Sequence, residues 1–444
     1  MGAKKPSNNE SIFSHSRITK FSVIIYALIF VLIILFNSNR NINHSSSSSS
    51  SSNSTNSSTN QNQTPEFSDD ETNYDTSSSS FAKGNNNGVT SQSSSNMEPN
   101  SQGEVDYEEN EDLMIPLPQM TKTQRIEWFR SQLPKLQMLK SRNDSSFHAR
   151  LSNFFTQNCS TFLHAIWLSP AKFFGQREFM TMDTLLKLHP QGCLLILSSS
   201  MDSALGYRIL KPLIDRGLKV LAIAPDLPFL VLNTPAESWL EELKSGNKDP
   251  GTVPLFNNLS NLIRLAVLYK YGGVYLDIDL IFLKDVSPLR NAIGAQNMDP
   301  VTKRWLRLNN AVMVFDKKHP ILWEFIEEFA QTFDGNRWGH NGPYMVSRVV
   351  GRIGNTQGYE ITILPPKAFY PVDWNKIPEY YKKPEDENGS IWVENKVREL
   401  MYGGSTYTLH LWNKRTRMLE IEEGSVMAKL FNDHCVVCYG VTKN

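Results

Sequence analysis

Short apolar runs alternate with amphipathic stretches between residues 161 and 283, and this alternation restricts the fold more than any other property of the chain. "TFLHAIWLS" (161–169), "CLLILSS" (193–199) and "LKVLAIAP" (218–225) are too short for buried helices and read as strands. Between them, "REFMTMDTLLKLHP" (177–190) and "ALGYRILKPLIDRG" (204–217) have helical spacing and stop at proline or glycine. Strands apolar along their whole length, alternating with helices, indicate an α/β domain with a mostly parallel mixed sheet covered on both faces. "NLIRLAVLYKYGG" (261–273) then reads as a glycine-capped helix, and "VYLDIDLIFL" (274–283) as one continuous strand. "LNNAVMVF" (308–315) is expected as a strand, "HPILWEFIEEFAQTF" (319–333) as a helix, and a further helix starts after Pro343.

The rest of the chain is organised very differently. Residues 37–120 are rich in serine and asparagine, with an unbroken serine run at 45–52, and cannot bury enough apolar surface to offset chain entropy, so a disordered stem is expected. Ahead of it, "FSVIIYALIFVLIILF" (21–36) is expected to be a single transmembrane helix. At about 1.5 Å per residue it spans about 24 Å, enough for a thin secretory-pathway bilayer. Lys4, Lys5, Arg17 and Lys20 precede it and only Arg40 follows closely, so the tail 1–20 faces the cytosol and the remainder the lumen. A cleaved signal peptide is the competing reading; the long leader and the lack of a small-x-small site after Phe36 oppose it. Residues 121–150 read as a stem helix and linker interrupted at Pro134, leading to two regions, 151–315 and 316–444. The 45 acidic and 45 basic residues balance, which gives no ground for a nucleic-acid partner. Four cysteines, all beyond the anchor, fit two disulfides with three possible connectivities. Cys435-x-x-Cys438 reads as a structural bridge, because too few residues follow it for the helix of a redox site. Among the N-x-S/T sequons, Asn388 is expected on an exposed loop and Asn258 in a buried segment.

Asp277 and Asp279 interrupt the most apolar stretch of the domain. Buried carboxylates are expensive unless paired or bound to a metal. Two residues apart on a strand they share a face, with Cα atoms about 6.6 Å apart, and can reach one divalent cation. Oxygen ligands suit Mn²⁺ or Mg²⁺, and an added imidazole favours Mn²⁺. Such a cation can hold a diphosphate and stabilise its charge as it leaves. No Walker motif or G-x-G-x-x-G is present to do this with backbone amides. A bare D-x-D also occurs at ordinary strand ends, so its surroundings decide.

Those surroundings, "LSNLIRLAVLYKYGGVYLDIDLIFLKDV" (259–286), closely resemble the sugar-binding D-x-D region of the α1,4-glycosyltransferase family. The resemblance runs from about residue 162 to the C-terminus through "LNNAVMVF", "NGPYMVSRV", "LPPKAFYPVDW" and "HLWNK". It implies a GT-A-type nucleotide-sugar-binding fold in a Golgi type II membrane protein. It also implies a nucleotide-sugar donor, UDP-galactose or UDP-N-acetylglucosamine, a glycan or glycolipid acceptor, and metal-dependent transfer with retention. By position, Asp279 is implied as the main metal ligand, with Asp277 and His410 beside it. Asp277, Arg264, Asn261, Asn341 and Gly342 are implied at the donor, and Asn310 is the candidate catalytic group for stabilising the sugar's positive transition state. One departure stands out: many relatives have S-D-x-x-R where this chain has Ser260-Asn261-Leu262-Ile263-Arg264, which leaves the donor sugar open. No acid precedes Asp316 in "LNNAVMVF", and none lies in "WGHNGPYMV", so a same-face displacement is expected rather than a covalent intermediate. Two rivals remain. A haloacid-dehalogenase-type phosphatase is opposed by Ile281 at a position that normally holds Thr or Val. A catalytically inactive Golgi-anchored relative acting as a binding or scaffold protein has Asn261 as its only support.

Overall fold

The computed structural model describes residues 114–140 and 146–438, so the expected transmembrane helix 21–36 and nearly all of the expected stem lie outside the described residues. Among the described residues no helix is long and apolar enough to cross a membrane. The expected strands form β1 (Phe162–Ile166), β2 (Cys193–Leu197) and β3 (Lys219–Ile223), followed by β4 (Gly273–Leu276) and β5 (Leu280–Phe282). Next come β6 (Ala292–Met298), β7 (Trp305–Phe315), β8 (Thr362–Leu364) and β9 (Thr408–His410). Seven of them make one sheet in the order β3-β2-β1-β4-β7-β6-β8, while β5 and β9 pair separately. In the large sheet β7 runs antiparallel to β4 and β6, and every other pairing is parallel. The sheet is thus mixed and mostly parallel.

The strands are apolar throughout because both faces are covered. Leu194 and Ile196 of β2 join Leu163 and Ala165 in one core, whereas Cys193, Leu195 and Leu197 join the opposite core. The principal helices are α1 (Lys122–Gln132), α2 (Gln176–Leu188), α3 (Ala204–Ile214), α4 (Leu255–Tyr271), α5 (Pro320–Thr332), α6 (Pro343–Ile353), α7 (Glu387–Tyr402) and α8 (Val426–Asp433). α1 starts with a capping box between Thr121 and Gln124 and stops two residues before Pro134.

Three expectations change on this framework. First, the expected helix is present at Lys122–Gln132, but it is built into the domain rather than set apart from it. Phe129 of α1 is fully buried, and Arg125 grips Asp249 with two hydrogen bonds of 3.0 and 2.6 Å. Second, a boundary at 315 separates no cores. Phe325 and Phe329 of α5 and Met345 of α6 lie in the same cluster as Leu262 and Leu265 of α4. A distinct C-terminal cluster gathers Tyr381, Leu409 and Phe431 around Met180 and Ile281. Third, residues 274–283 do not form one strand. The last sheet bond is Asp277 N–H to Ala311 O at 2.8 Å. After it, Thr181 of α2 takes over, donating its hydroxyl to Ile278 O (3.1 Å) and accepting Leu280 N–H (3.3 Å). The chain bends through Asp277–Asp279 and leaves the large sheet for the small one.

The four cysteines pair as Cys159–Cys193 and Cys435–Cys438. The second bridge closes a loop whose Val436, Val437 and Cys438 N–H groups all donate to the buried Asp183 carboxylate of α2. Asn258 is buried, as expected, and Asn388 is exposed, but Asn388 sits in the first turn of α7 rather than on a loop.

The turn from α4 into β4 depends on its two glycines. Gly272 and Gly273 have φ of +69° and +102°. A Cβ on Gly273 would lie 2.4 Å from Phe162 O, and one on Gly272 2.6 Å from Lys317 N. Gly272 O accepts a 2.7 Å hydrogen bond from Nε2 of His164, which is wholly buried on β1. Gly273→Ala should therefore lower stability by about 1–3 kcal/mol, read as a lower denaturant midpoint. Burial pushes the His164 pKa down from 6.5 to about 4. The unfolded chain therefore binds a proton that the fold refuses, and stability is lost as pH falls through that window. The expected loss is up to about 3 kcal/mol at the acid end. His164→Gln should flatten that dependence in urea midpoints measured across the same pH range.

Candidate metal and donor site

Strand register brings the site together. Leu280 of β5 pairs with His410 of β9, so the imidazole lies beside the bend one residue past Asp279. Asp277, Asp279 and His410 each offer one ligand atom, and all three atoms lie within 4.8 Å of one another. The convergence comes from the bend and from pairing in the small sheet. It does not come from two residues sharing a face of a straight strand.

Each acid is held differently. Asp279 is the more enclosed: its Oδ2 accepts the Asn413 N–H at 3.0 Å, and its carbonyl accepts the Leu411 N–H at 2.8 Å. His410 Nε2 stands 3.5 Å from its Oδ1. Burial pushes the Asp279 pKa above the usual carboxylate range; nearby His410 opposes that shift and Asp277 adds to it. Asp277 accepts a 2.6 Å hydrogen bond from Tyr275 Oη and lies 3.1 Å from Arg264 Nη1. Arg264 is itself buried, stacks 4.4 Å from the Tyr275 ring centroid, and donates to Asn310 O at 2.7 Å. It stands behind Asp277 as a support.

The expected donor residues divide into two sets. Asn310 Nδ2 donates to Asn261 Oδ1 at 2.9 Å, and a Cβ on Gly342 would lie 2.7 Å from that same oxygen. Asn261, Asn310 and Gly342 therefore meet beside the Arg264–Asp277 pair. Asn341 makes a separate set of bonds. It is buried, and its Nδ2 donates to Asn258 Oδ1 (2.9 Å) and to Asp334 O (2.8 Å). Its Oδ1 accepts the Asp334 N–H at 3.1 Å. The amide staples its own loop, and both of its hydrogens are engaged.

Sequence reasoning missed Tyr275, Thr181 and Asn413. Tyr275 could have been found, because a tyrosine two residues before an acid in a buried run needs a partner for its hydroxyl. Thr181 acts across 97 positions and Asn413 through its backbone, and no residue-type signal marks either.

The donor set fits a divalent cation: two carboxylates and one imidazole, close enough to share it, with one acid desolvated and without a full counter-charge. The fit has one cost. Trp412 N–H donates to His410 Nδ1 at 2.9 Å, so the neutral ring carries its proton on Nε2. For Nε2 to serve as a ligand atom the proton would have to sit on Nδ1, at the expense of the Trp412 hydrogen bond. Because the Asp279 pKa is raised, protons compete with the cation from above the ordinary carboxylate range. Mn²⁺ affinity of the purified protein, measured by calorimetry, should therefore fall as pH is lowered. Asp279→Asn should weaken binding at every pH, since it removes one of the two carboxylates.

Comparison with known proteins matches two family models. The glycosyltransferase sugar-binding region containing the DXD motif matches residues 175–299, and the α1,4-glycosyltransferase conserved region matches residues 314–442. The chain is 30% identical over 227 residues to the lactosylceramide 4-alpha-galactosyltransferase of Pongo pygmaeus, covering 49% of this chain and 94% of that one. It is 25% identical to the alpha-1,4-N-acetylglucosaminyltransferase of Homo sapiens, covering 48% of this chain and 59% of that enzyme. An uncharacterised Arabidopsis thaliana protein is 31% identical over 306 residues, which span 67% of this chain but 45% of that longer protein.

Proposed function

Because the chain belongs to the α1,4-glycosyltransferase family, a family of retaining hexosyltransferases, we propose that it transfers a hexose or N-acetylhexosamine from a UDP-sugar to a glycan or glycolipid acceptor. The observation that carries this reading is the convergence of Asp277, Asp279 and His410 where the two sheets meet. UDP-galactose and UDP-N-acetylglucosamine are the proposed donors, on a GT-A-type fold. Residues 21–36 would anchor the enzyme in the Golgi membrane with the domain in the lumen.

Asp277, Asp279 and His410 would hold Mn²⁺ or Mg²⁺, and a bound divalent cation offsets the charge of a departing diphosphate. The chain's own groups supply the positioning. Arg264 and Tyr275 fix Asp277, while the Asn413 and Leu411 N–H groups fix Asp279. Asn261, Asn310 and Gly342 are proposed to meet the donor, with Asn310 beside the sugar where positive charge develops. In the proposed reaction the bond from the anomeric carbon to the diphosphate breaks as the acceptor oxygen bonds on the same face. The acceptor's proton leaves with the diphosphate. The intact Asp277, Asp279, Arg264 and His410 oppose the reading of an inactive scaffold.

The test is a panel of nucleotide sugars with Mn²⁺, following release of the nucleoside diphosphate. Turnover with a UDP-hexose or UDP-N-acetylhexosamine is expected, and Asp279→Ala should lower it by at least about 10²-fold without changing the circular dichroism spectrum. Near-normal turnover in that variant would refute the metal assignment. No turnover by the wild-type protein with any donor would refute the transfer reaction.

A further inference from the structure

The loop between α5 and α6 is fixed on both arms. Gly335 packs so tightly on Gly251 that a Cβ on Gly251 would come within 1.9 Å of its carbonyl carbon. Gly335 O accepts the Val253 N–H at 2.9 Å, and His340 Nε2 donates to Thr332 O at 2.9 Å. Asn341 staples the far arm to Asn258 of α4. At the crown of this fixed loop Trp338 is 53% exposed. Holding a large ring in water forgoes the burial that the rest of the loop achieves.

The place of that ring is specific. Four residues on, Gly342 closes over Asn261. From the other side, Lys414 puts its Nζ 4.3 Å from the Trp338 ring centroid. Lys414 follows Asn413, whose N–H holds Asp279, and Arg415 stacks 4.3 Å from the Trp374 ring centroid in the same way. The indole therefore touches the segment whose Asn413 holds Asp279, and it belongs to the loop that leads to Gly342 over Asn261. It is not one of the clustered ligand residues.

We infer that Trp338 is the platform on which one pyranose ring of the acceptor stacks, a subsite that rests on the transfer reaction proposed above. The ring chemistry suits a pyranose. Aromatic faces carry negative charge density, which seats the Lys414 ammonium. A pyranose ring presents a cluster of weakly positive C–H groups on one face and meets the indole favourably there. A rigid platform keeps the ordering cost of that contact low. Trp338 is not among the clustered groups Asp277, Asp279 and His410, so the platform should act on the acceptor alone.

The test uses the full-length protein with Mn²⁺ and the UDP-sugar it turns over. Methyl β-lactoside, methyl β-galactoside, methyl β-N-acetylglucosaminide and methyl α-mannoside are offered as acceptors. Two quantities are compared: UDP release without acceptor, and transfer to any glycoside used. Trp338→Ala should raise the acceptor KM by about three- to tenfold, the worth of one aromatic stacking contact. Donor KM and acceptor-independent UDP release should stay unchanged, and Trp338→Tyr should restore most of the acceptor KM. An unchanged acceptor KM in Trp338→Ala would overturn the platform, as would an equal fall in acceptor-independent release. Wild-type protein that releases UDP but uses none of the glycosides would overturn it too. Absence of UDP release from the wild type strikes the transfer reaction itself, which keeps the two failures apart.

Discussion

Two threonine hydroxyls on α2 set the shape on which everything else depends. Thr181 satisfies Ile278 O and Leu280 N–H, and Thr184 accepts the Phe282 N–H at 3.1 Å. Without these bonds the chain beyond Leu276 would leave buried amides unpaired on departing from the large sheet, a cost of roughly 1–3 kcal/mol for each. With them it can bend, and the bend turns two acids toward a histidine from a different sheet. The site therefore sits at the carboxyl end of a strand of a mostly parallel sheet, where ligands of such folds commonly bind.

The C-terminal region serves the same end. It contributes β9 with His410, the Asn413 N–H that holds Asp279, and the disulfide-closed loop that clasps Asp183. Arg177, at the start of α2, donates to Thr416 O and Leu419 O and stacks on Tyr381. α2 is thus held along its length by the same segment that supplies the third ligand atom. The two sides of the site are adjusted against one helix, which explains why the two matched family regions, 175–299 and 314–442, form one structural unit at the bend.

Much of the α/β pattern was legible in the sequence. The strands 161–169, 193–199 and 218–225 are found almost where their apolar runs lie, because burial on both faces leaves a continuous signal. β6 was not legible. "AIGAQNM" mixes glycine and amides, and its register with β7 shifts repeatedly, so no period of two survives. The bend was hidden for another reason: Asp277-Ile278-Asp279 continues the strand's alternation, and what breaks it is a threonine 97 residues earlier. The bonds of Asn341 were not legible either: Gly342 beside it packs on Asn261, while its own amide reaches Asn258 and Asp334.

The parts of the site lie far apart along the chain. Asp279 and the backbone amide that steadies it are 134 positions apart, and the imidazole comes from the same late segment. A chain still emerging from the ribosome thus carries the acid pair long before β9 exists to face it. Assembly of this centre therefore waits until the chain has been made beyond residue 413.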